Sequence, residues 1–167
     1  MAALLVLACT ACGPDEIPVG GIREPITREN LVAARERMEG GLLEPGWLPD
    51  GFALVNAEFD ASGGRVWSVD LAYQAANGHY VHMFQTHFPG GQAGAEDPLA
   101  LGDPIPGTDW NRRAIPPEDV GRPGVAEFST RLDDGRTVLV DSDLDQEAML
   151  RVLDSLVVRS EAAAGDY

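Results

Sequence analysis

The clearest pattern along the chain is the alternation of apolar and polar positions that half-buried β-strands show. Trp67, Val69, Leu71 and Tyr73 recur at every second position between residues 65 and 74, and this period of two predicts a strand there. The turn sequences Pro-Asp-Gly, Asn-Gly and Asp-Asp-Gly adjoin other apolar runs, which is typical of antiparallel hairpins. These runs predict four further strands, over residues 52–59, 79–87, 125–132 and 136–141.

Helical periodicity occurs at the two ends of this strand-rich region. Leu31, Ala34 and Met38 share one helical face, and two glycines end the run, so a helix is predicted over residues 28–39. Near the C-terminus Asp143 is the predicted N-cap of a second helix. The apolar stripe of that helix consists of Leu144, Ala148, Met149, Val152, Leu153 and Leu156. The patterns together predict an α+β fold, in which an antiparallel sheet of about five strands has an N-terminal and a C-terminal helix.

Residues 89–124 follow neither period. The segment is rich in proline and glycine, and it is longer than an ordinary connection in a compact domain. We therefore predict a long loop that is either functional or disordered. Trp110 lies within it, and a large aromatic ring of this kind indicates at least partial packing.

The N-terminal residues have the character of a targeting segment. The run from Ala2 to Ala11 is uncharged and apolar, but it is shorter than the roughly 20 residues that span a bilayer. A short apolar run that ends in small residues is typical of a secretory signal peptide. Small residues before a cysteine also resemble the lipobox of bacterial lipoproteins. In that family the cysteine thiol receives a diacylglyceryl group, and the cysteine becomes the new N-terminus after cleavage.

Two cysteines compete for this role. Cys9 follows Val-Leu-Ala, which has the aliphatic residue that the family prefers three places before the cysteine, but it leaves a very short signal. Cys12 allows a longer apolar run and is followed by Gly13, so we favour lipidation at Cys12, with Cys9 as the alternative. A redox pair is disfavoured because no strand-helix unit surrounds the two thiols. A zinc site would need further ligands, and the chain contains no second cysteine pair.

The chain length of 167 residues suits one domain with a substantial core. We expect a lipoprotein-type signal peptide over residues 1–11 and a flexible tether over residues 12–26, where glycine, proline and acidic residues show no periodicity. A single domain is predicted over residues 27–159, with the long loop 89–124 inside it. Residues 160–167 are expected to form a tail.

The charge of the chain excludes two classes of partner. The net charge is −15, and all 12 basic residues are arginine. A field of this sign repels the phosphates of nucleic acids and the headgroups of anionic lipids. We therefore expect no nucleic-acid partner, and contact with a membrane only through the N-terminal lipid.

Residues that carry chemistry are few. His79, His82 and His87 fall on one predicted strand, where the first and last share a face and His82 points to the other, so the strand cannot offer all three to one metal. The acidic run 141–145 resembles the start of a calcium-binding loop, but the glycine and glutamate that such a loop needs later are missing. No nucleophile or phosphate-binding motif occurs. The sequence predicts no catalytic residue, no cofactor and no metal site.

One basic doublet stands out in this acidic chain. Arg112 and Arg113 lie beside Trp110 in the predicted loop, and a cation pair next to an aromatic ring could hold an anionic or planar ligand. The alternative is that the two arginines pair with carboxylates of the same domain. We take all three residues as the candidate ligand-binding set.

Three stretches of sequence support a family resemblance. "WLPDGFALV", "VWSVDLAYQAANGHYVHMFQT" and "DGRTVLVDSDLDQEAMLRVLDSL", together with the lipobox-like start, resemble small lipoprotein and anti-sigma-regulator-associated domains of unknown function. Those domains pair antiparallel strands with a closing helix that ends in Ser-Leu, here Ser155 and Leu156. The resemblance covers most of residues 47–157. It implies the fold and a location in the cell envelope, and it transfers no catalytic residue.

The leading hypothesis is a lipid-anchored extracytoplasmic lipoprotein whose domain is non-enzymatic and binds an envelope protein or another envelope ligand. The leader and the absence of a catalytic motif from the sequence motivate it. One alternative is a small envelope enzyme that uses the 89–124 loop as a lid. Another is a metal-binding module in which two of the histidines meet carboxylates from a neighbouring strand.

Overall fold

The structure is a computed structural model that describes residues 28–62, 64–87 and 102–159. Within these ranges the helices are α1 (Arg28–Arg37), α2 (Pro117–Val120) and α3 (Gln146–Asp154). The strands are β1 (Leu42–Pro45), β2 (Phe52–Ser62), β3 (Arg65–Ala75), β4 (Tyr80–Thr86), β5 (Asp103–Pro104), β6 (Asn111–Ala114), β7 (Ala126–Arg131), β8 (Thr137–Ser142) and β9 (Leu156–Arg159). None of the helices in the described ranges has the length and apolar character needed to cross a membrane.

The described chain is mostly β. Seven of its strands form one antiparallel sheet in the order β2-β3-β4-β8-β7-β6-β5, and β1 pairs with β9 in a separate two-stranded sheet. The predicted α+β class, with about five strands and two terminal helices, is therefore wrong. The five predicted strands correspond to β2, β3, β4, β7 and β8. The prediction missed β1, β5, β6 and β9, because alternation cannot be recognised in strands of four residues or fewer.

The segment predicted as a long loop contains regular structure in its described part. β5 and β6 form a hairpin that pairs Asp103 with Arg112, and β6 continues the sheet beyond β7. α2 begins at Pro117, where the fixed φ of proline suits a first helical turn. Its C-cap is Gly121, in the left-handed conformation that glycine favours. Proline-rich composition concealed these short elements, and residues 89–101 lie outside the described ranges.

One face of the large sheet is buried by the helices and by the β1–β9 pair. Leu71, Met83 and Phe128 are among its largest inward side chains and are almost fully buried. Burial of such apolar surface is the main driving force for folding. The predicted face of the first helix is confirmed, because Leu31, Ala34 and Met38 belong to the core. Of the stripe predicted for the second helix, Met149, Val152 and Leu153 are buried on α3, whereas Leu144 precedes that helix and Leu156 begins β9.

The start of α3 differs from the prediction. Its N-cap is Asp145, whose side chain accepts a hydrogen bond of 2.8 Å from the backbone N–H of Ala148. Asp143 was the predicted cap, but its carboxylate contacts β4 and Arg122 instead. Both acidic residues suit the N-terminus of a helix, so the sequence alone does not choose between them.

Buried polar side chains attach the start of β1 to the large sheet. The Gln85 amide accepts a hydrogen bond from the Leu43 N–H (2.9 Å) and donates one to the Leu43 carbonyl (2.6 Å). Arg136 donates to the carbonyls of Gly40 and Gly41. Gln85 and Arg136 are almost fully buried. These bonds satisfy backbone groups of β1 and of the two glycines before it. Among the described residues, β1 has a strand partner only on its other edge.

A buried ion pair joins α1 to β1. The guanidinium of Arg35 donates hydrogen bonds of 2.6 and 2.8 Å to the two carboxylate oxygens of Glu44. The two side chains are 3% and 5% exposed. This two-point geometry satisfies charges that would be costly to bury alone.

Candidate functional site

The outer face of the large sheet carries a histidine held between two carboxylates. His82 lies on β4, between Ala72 of β3 and Asp141 of β8 in the strand register. Its Nδ1 lies 2.6 Å from Asp141 Oδ1, and its Nε2 lies 2.6 Å from Asp70 Oδ1. All three side chains are about one-third exposed. Alternation along the strands places them on the face opposite the core.

These contacts determine the protonation of His82. Hydrogen bonds to Asp141 and Asp70 raise its pKa to about 10, against the opposing effect of burial. The ring is therefore an imidazolium at neutral pH, and both of its N–H groups donate to carboxylates. This arrangement joins three strands electrostatically. It leaves no free ring nitrogen for proton transfer to a substrate.

We expect the stabilising effect of His82 to depend on pH. Because the pKa is raised in the folded state, the contribution is complete below the ordinary value of 6.5 and is lost as the pH rises through about 10. The difference in unfolding free energy between the native protein and His82→Gln should shrink from about pH 6 to about pH 9. Urea denaturation at both pH values measures it. If the difference in unfolding free energy were the same at both pH values, the raised pKa of His82 would be contradicted.

A second polar cluster lies at the end of β4. The Asp143 carboxylate accepts a hydrogen bond of 3.0 Å from the Tyr80 N–H and another of 3.0 Å from Arg122. It also lies 3.3 Å from Nδ1 of His79. The Arg122 guanidinium also stacks over the Tyr80 ring, at 4.1 Å from its centroid. Burial, together with the Asp141 carboxylate, raises the pKa of Tyr80 to about 12. The cluster attaches the segment after α2 to the sheet.

The histidines do not converge on one point. β4 runs from Tyr80 to Thr86, so His79 and His87 lie just outside its two ends. Nε2 of His87 donates a hydrogen bond of 2.6 Å to the carbonyl of Glu39. Within the described ranges, no group of three His, Cys, Asp or Glu side chains could hold a metal ion.

An open cleft lies on the other side of the sheet, beside Trp110. Its volume is about 460 Å³, which falls in the range of small-ligand sites. Apolar side chains from five different parts of the fold line it, namely Leu43, Trp110, Leu132, Leu153 and Leu156. The polar lining consists of Asp109, Thr130, Arg131 and Asp133. The cleft thus combines apolar walls with charged groups.

Local structure holds the Trp110 side of the cleft in place. The Trp110 carbonyl accepts a hydrogen bond of 2.9 Å from the Ile105 N–H. Next to it, the Asp109 carbonyl accepts one of 2.7 Å from the Thr130 hydroxyl. Ile105 is buried in the core. These contacts connect the segment before β6 to β7.

The structure separates the three residues of the predicted ligand-binding set. Trp110 lines the cleft, whereas Arg112 and Arg113 do not. Arg113 forms an ion pair of 3.0 Å with Glu127 of β7. Pairing with a carboxylate of the same domain was the alternative that the sequence left open. Arg112 lies opposite Phe128 in the β6–β7 register. Cys9 and Cys12 lie outside the described residues.

Sequence reasoning missed most of the cleft. Leu43, Leu153 and Leu156 have the pattern of ordinary core positions, and Asp133 that of a hairpin turn. Their common location depends on how β1, α3 and β9 pack against β7, which no local pattern encodes. Trp110 was the one detectable signal, because a large ring in a proline-rich segment requires a packing partner.

Comparisons with known proteins give only distant likenesses. No protein-family model matches the chain, and no curated protein matches it in sequence. A crystal structure of MucB in complex with MucA(peri) superposes with a TM-score of 0.45 at 20% identity, over 72% of this chain and 37% of that one. The MucA/MucB complex of Pseudomonas aeruginosa gives a TM-score of 0.43 at 21% identity, over 72% and 35% of the two chains. The chain thus spans little more than a third of these structures, and no residue role is transferred from them.

Proposed function

We propose that this chain is an extracytoplasmic lipoprotein whose folded domain binds a ligand in the cleft beside Trp110, without catalysing a reaction. The observation that carries the proposal is the cleft itself, with apolar walls and charged groups in one open depression. Ligand sites typically combine apolar walls with placed polar groups; here both kinds are present, and the polar share of the accessible lining is the larger. An envelope protein that presents both polar and apolar side chains is the partner class that suits this lining.

The ionisable groups of the domain favour binding over catalysis. A general acid or base needs a pKa near the working pH and access to substrate. His82 instead has a pKa of about 10, and both of its ring nitrogens are bound to carboxylates. Arg112, which a lid-type enzyme site would bring toward Trp110, is not among the cleft residues.

Membrane anchorage is the second part of the proposal. The lipobox-like segment supports lipidation at Cys12, with Cys9 as the alternative, and residues 13–25 have the composition of a tether. A lipid on the N-terminus would hold the domain at a membrane surface even though its net charge of −15 repels anionic headgroups. The domain would then meet partners in the envelope.

Site-specific photocrosslinking in the native envelope tests the binding site. A photoreactive residue in place of Asp109, on the cleft rim, should yield a discrete crosslinked product. The matched control replaces Val55, which is 51% exposed on β2 at the far edge of the sheet. Filling the cleft by Leu132→Trp should reduce the Asp109 product several-fold, by about tenfold if binding loses about 1.4 kcal/mol. Identical products from both positions, or no product from Asp109, would refute the site.

A further inference from the structure

We propose that β9 receives an extended segment of a basic partner polypeptide by strand addition, with alternate apolar side chains of that segment entering the cleft. The inference rests on the proposed function, because it uses the same cleft, and it specifies what binds there and how. Strand addition derives affinity from backbone hydrogen bonds and specificity from pockets for every second side chain.

The hydrogen-bonding pattern shows which backbone groups of β9 face outward. The N–H and C=O of Leu43 are bound by Gln85, on the edge of β1 away from β9. Leu43 and its register partner Val158 are therefore a pair without mutual hydrogen bonds. The bond from the Gly46 N–H to the Ser155 carbonyl fits the same alternation. The N–H and C=O groups of Leu156 and Val158 consequently point away from β1.

That outer edge of β9 has no strand partner among the described residues. β9 pairs with β1 alone, and neither belongs to the seven-stranded sheet. Unpaired strand edges are templates for pairing with another chain, and proteins usually protect them with charge, proline or a covering element. The sequence of β9 is Leu-Val-Val-Arg, so its first three residues offer none of that protection.

One exposed side chain of β9, that of Val158, lies on the same face as two residues of the cleft, whereas that of Val157 lies on the opposite face. Val157 and Val158 are 41% and 55% exposed, and the other large exposed hydrophobic residue among the described ones is Val55. The register places Leu43, Leu156 and Val158 on one face of the β1–β9 pair. Since Leu43 and Leu156 line the cleft, a strand added beside Val158 would direct every second side chain toward it.

Charge decides which occupant fits. The cleft lining carries the carboxylates of Asp109 and Asp133 and the guanidinium of Arg131, and β9 ends in Arg159, so the preference for a basic segment rests on the net charge of −15 of the whole chain. A basic segment is attracted by this field, whereas a second copy of the chain is repelled. The chain's own segment 160–167 carries two acidic residues and no basic one, so it is also disfavoured.

The test is peptide binding by the full folded chain. The probe is a short synthetic peptide in which Lys alternates with Leu, compared with the same peptide N-methylated at alternate backbone positions and with a Glu-for-Lys version. Val158→Pro removes an outward N–H while sparing the bonds to β1, and Val158→Thr keeps that N–H. We expect Val158→Pro to weaken binding about tenfold and Val158→Thr by less than about threefold. Thermal melts confirm that both variants fold.

Each outcome decides between occupants. If the N-methylated peptide and the Glu-for-Lys peptide both bind more weakly than the alternating Lys-Leu peptide, the inference is supported. Equal binding of the N-methylated peptide overturns strand addition but leaves the cleft as a site, whereas loss of the Asp109 crosslink would remove the cleft proposal itself. A dimer that Val158→Pro dissociates would assign the edge to a second copy. Much tighter binding after deletion of residues 160–167 would assign it to that segment, and either result overturns the proposal.

Discussion

Replacing Glu44 by Leu should lower the free energy of unfolding by about 3–5 kcal/mol, because it leaves the Arg35 guanidinium charged and buried without its carboxylate. Both oxygens of Glu44 accept hydrogen bonds from Arg35, at 2.6 and 2.8 Å, and the Arg35 side chain is 3% exposed. A buried group of this kind cannot recover its solvation unless the structure opens. Urea denaturation followed by circular dichroism measures the loss.

The double variant Arg35→Met with Glu44→Leu is the matched control. It removes both charges and keeps the side-chain volume, so it should recover most of the stability lost in Glu44→Leu. A double variant as unstable as the single one would show that the loss comes from packing in β1 and not from the removal of the ion pair between Arg35 and Glu44.

Cys12→Ala should abolish lipid labelling of the protein in its own envelope fraction. The lipobox-like segment predicts that the thiol of Cys12 receives the diacylglyceryl group, and alanine has no atom that can accept it. Metabolic labelling with palmitate and intact mass of the extracted protein measure acylation and cleavage together. Cys9→Ala is the matched control and should keep its label. Label that is lost only in Cys9→Ala would assign the lipid to Cys9, and an unlabelled native protein would refute the anchor.

The hairpin strands illustrate what local patterns can predict. β3 alternates strictly around Leu71, and the Asn-Gly turn after it requires a tight reversal, so the period and the turn together specify β3 and β4. β6 is Asn-Arg-Arg-Ala, a sequence with no apolar alternation and little β propensity. It becomes a strand because the free edge of β7 provides hydrogen-bond partners, and that edge exists only in the folded sheet.

In the candidate sites, too, some features follow from local sequence and others only from the folded structure. Trp110 was predictable as a packed ring in the proline-rich segment, but the other walls of its cleft come from β1, α3 and the turn between β7 and β8. His82 had the pattern of an ordinary strand histidine. Its raised pKa of about 10 depends on Asp70 and Asp141, which only cross-strand register brings to within 2.6 Å of its ring.

By itself the sequence determined the acidic character of the chain, five of the described strands and most of the buried faces of the two longer helices, because each of these depends on composition or on residues close together in the chain. The tertiary structure alone decided the mostly β class, the pairing of β1 with β9, the ion pairs of His82 and the cleft beside Trp110. These features depend on groups far apart in sequence, such as Leu43 and Gln85. Their hydrogen-bond partners exist only after the sheet has formed.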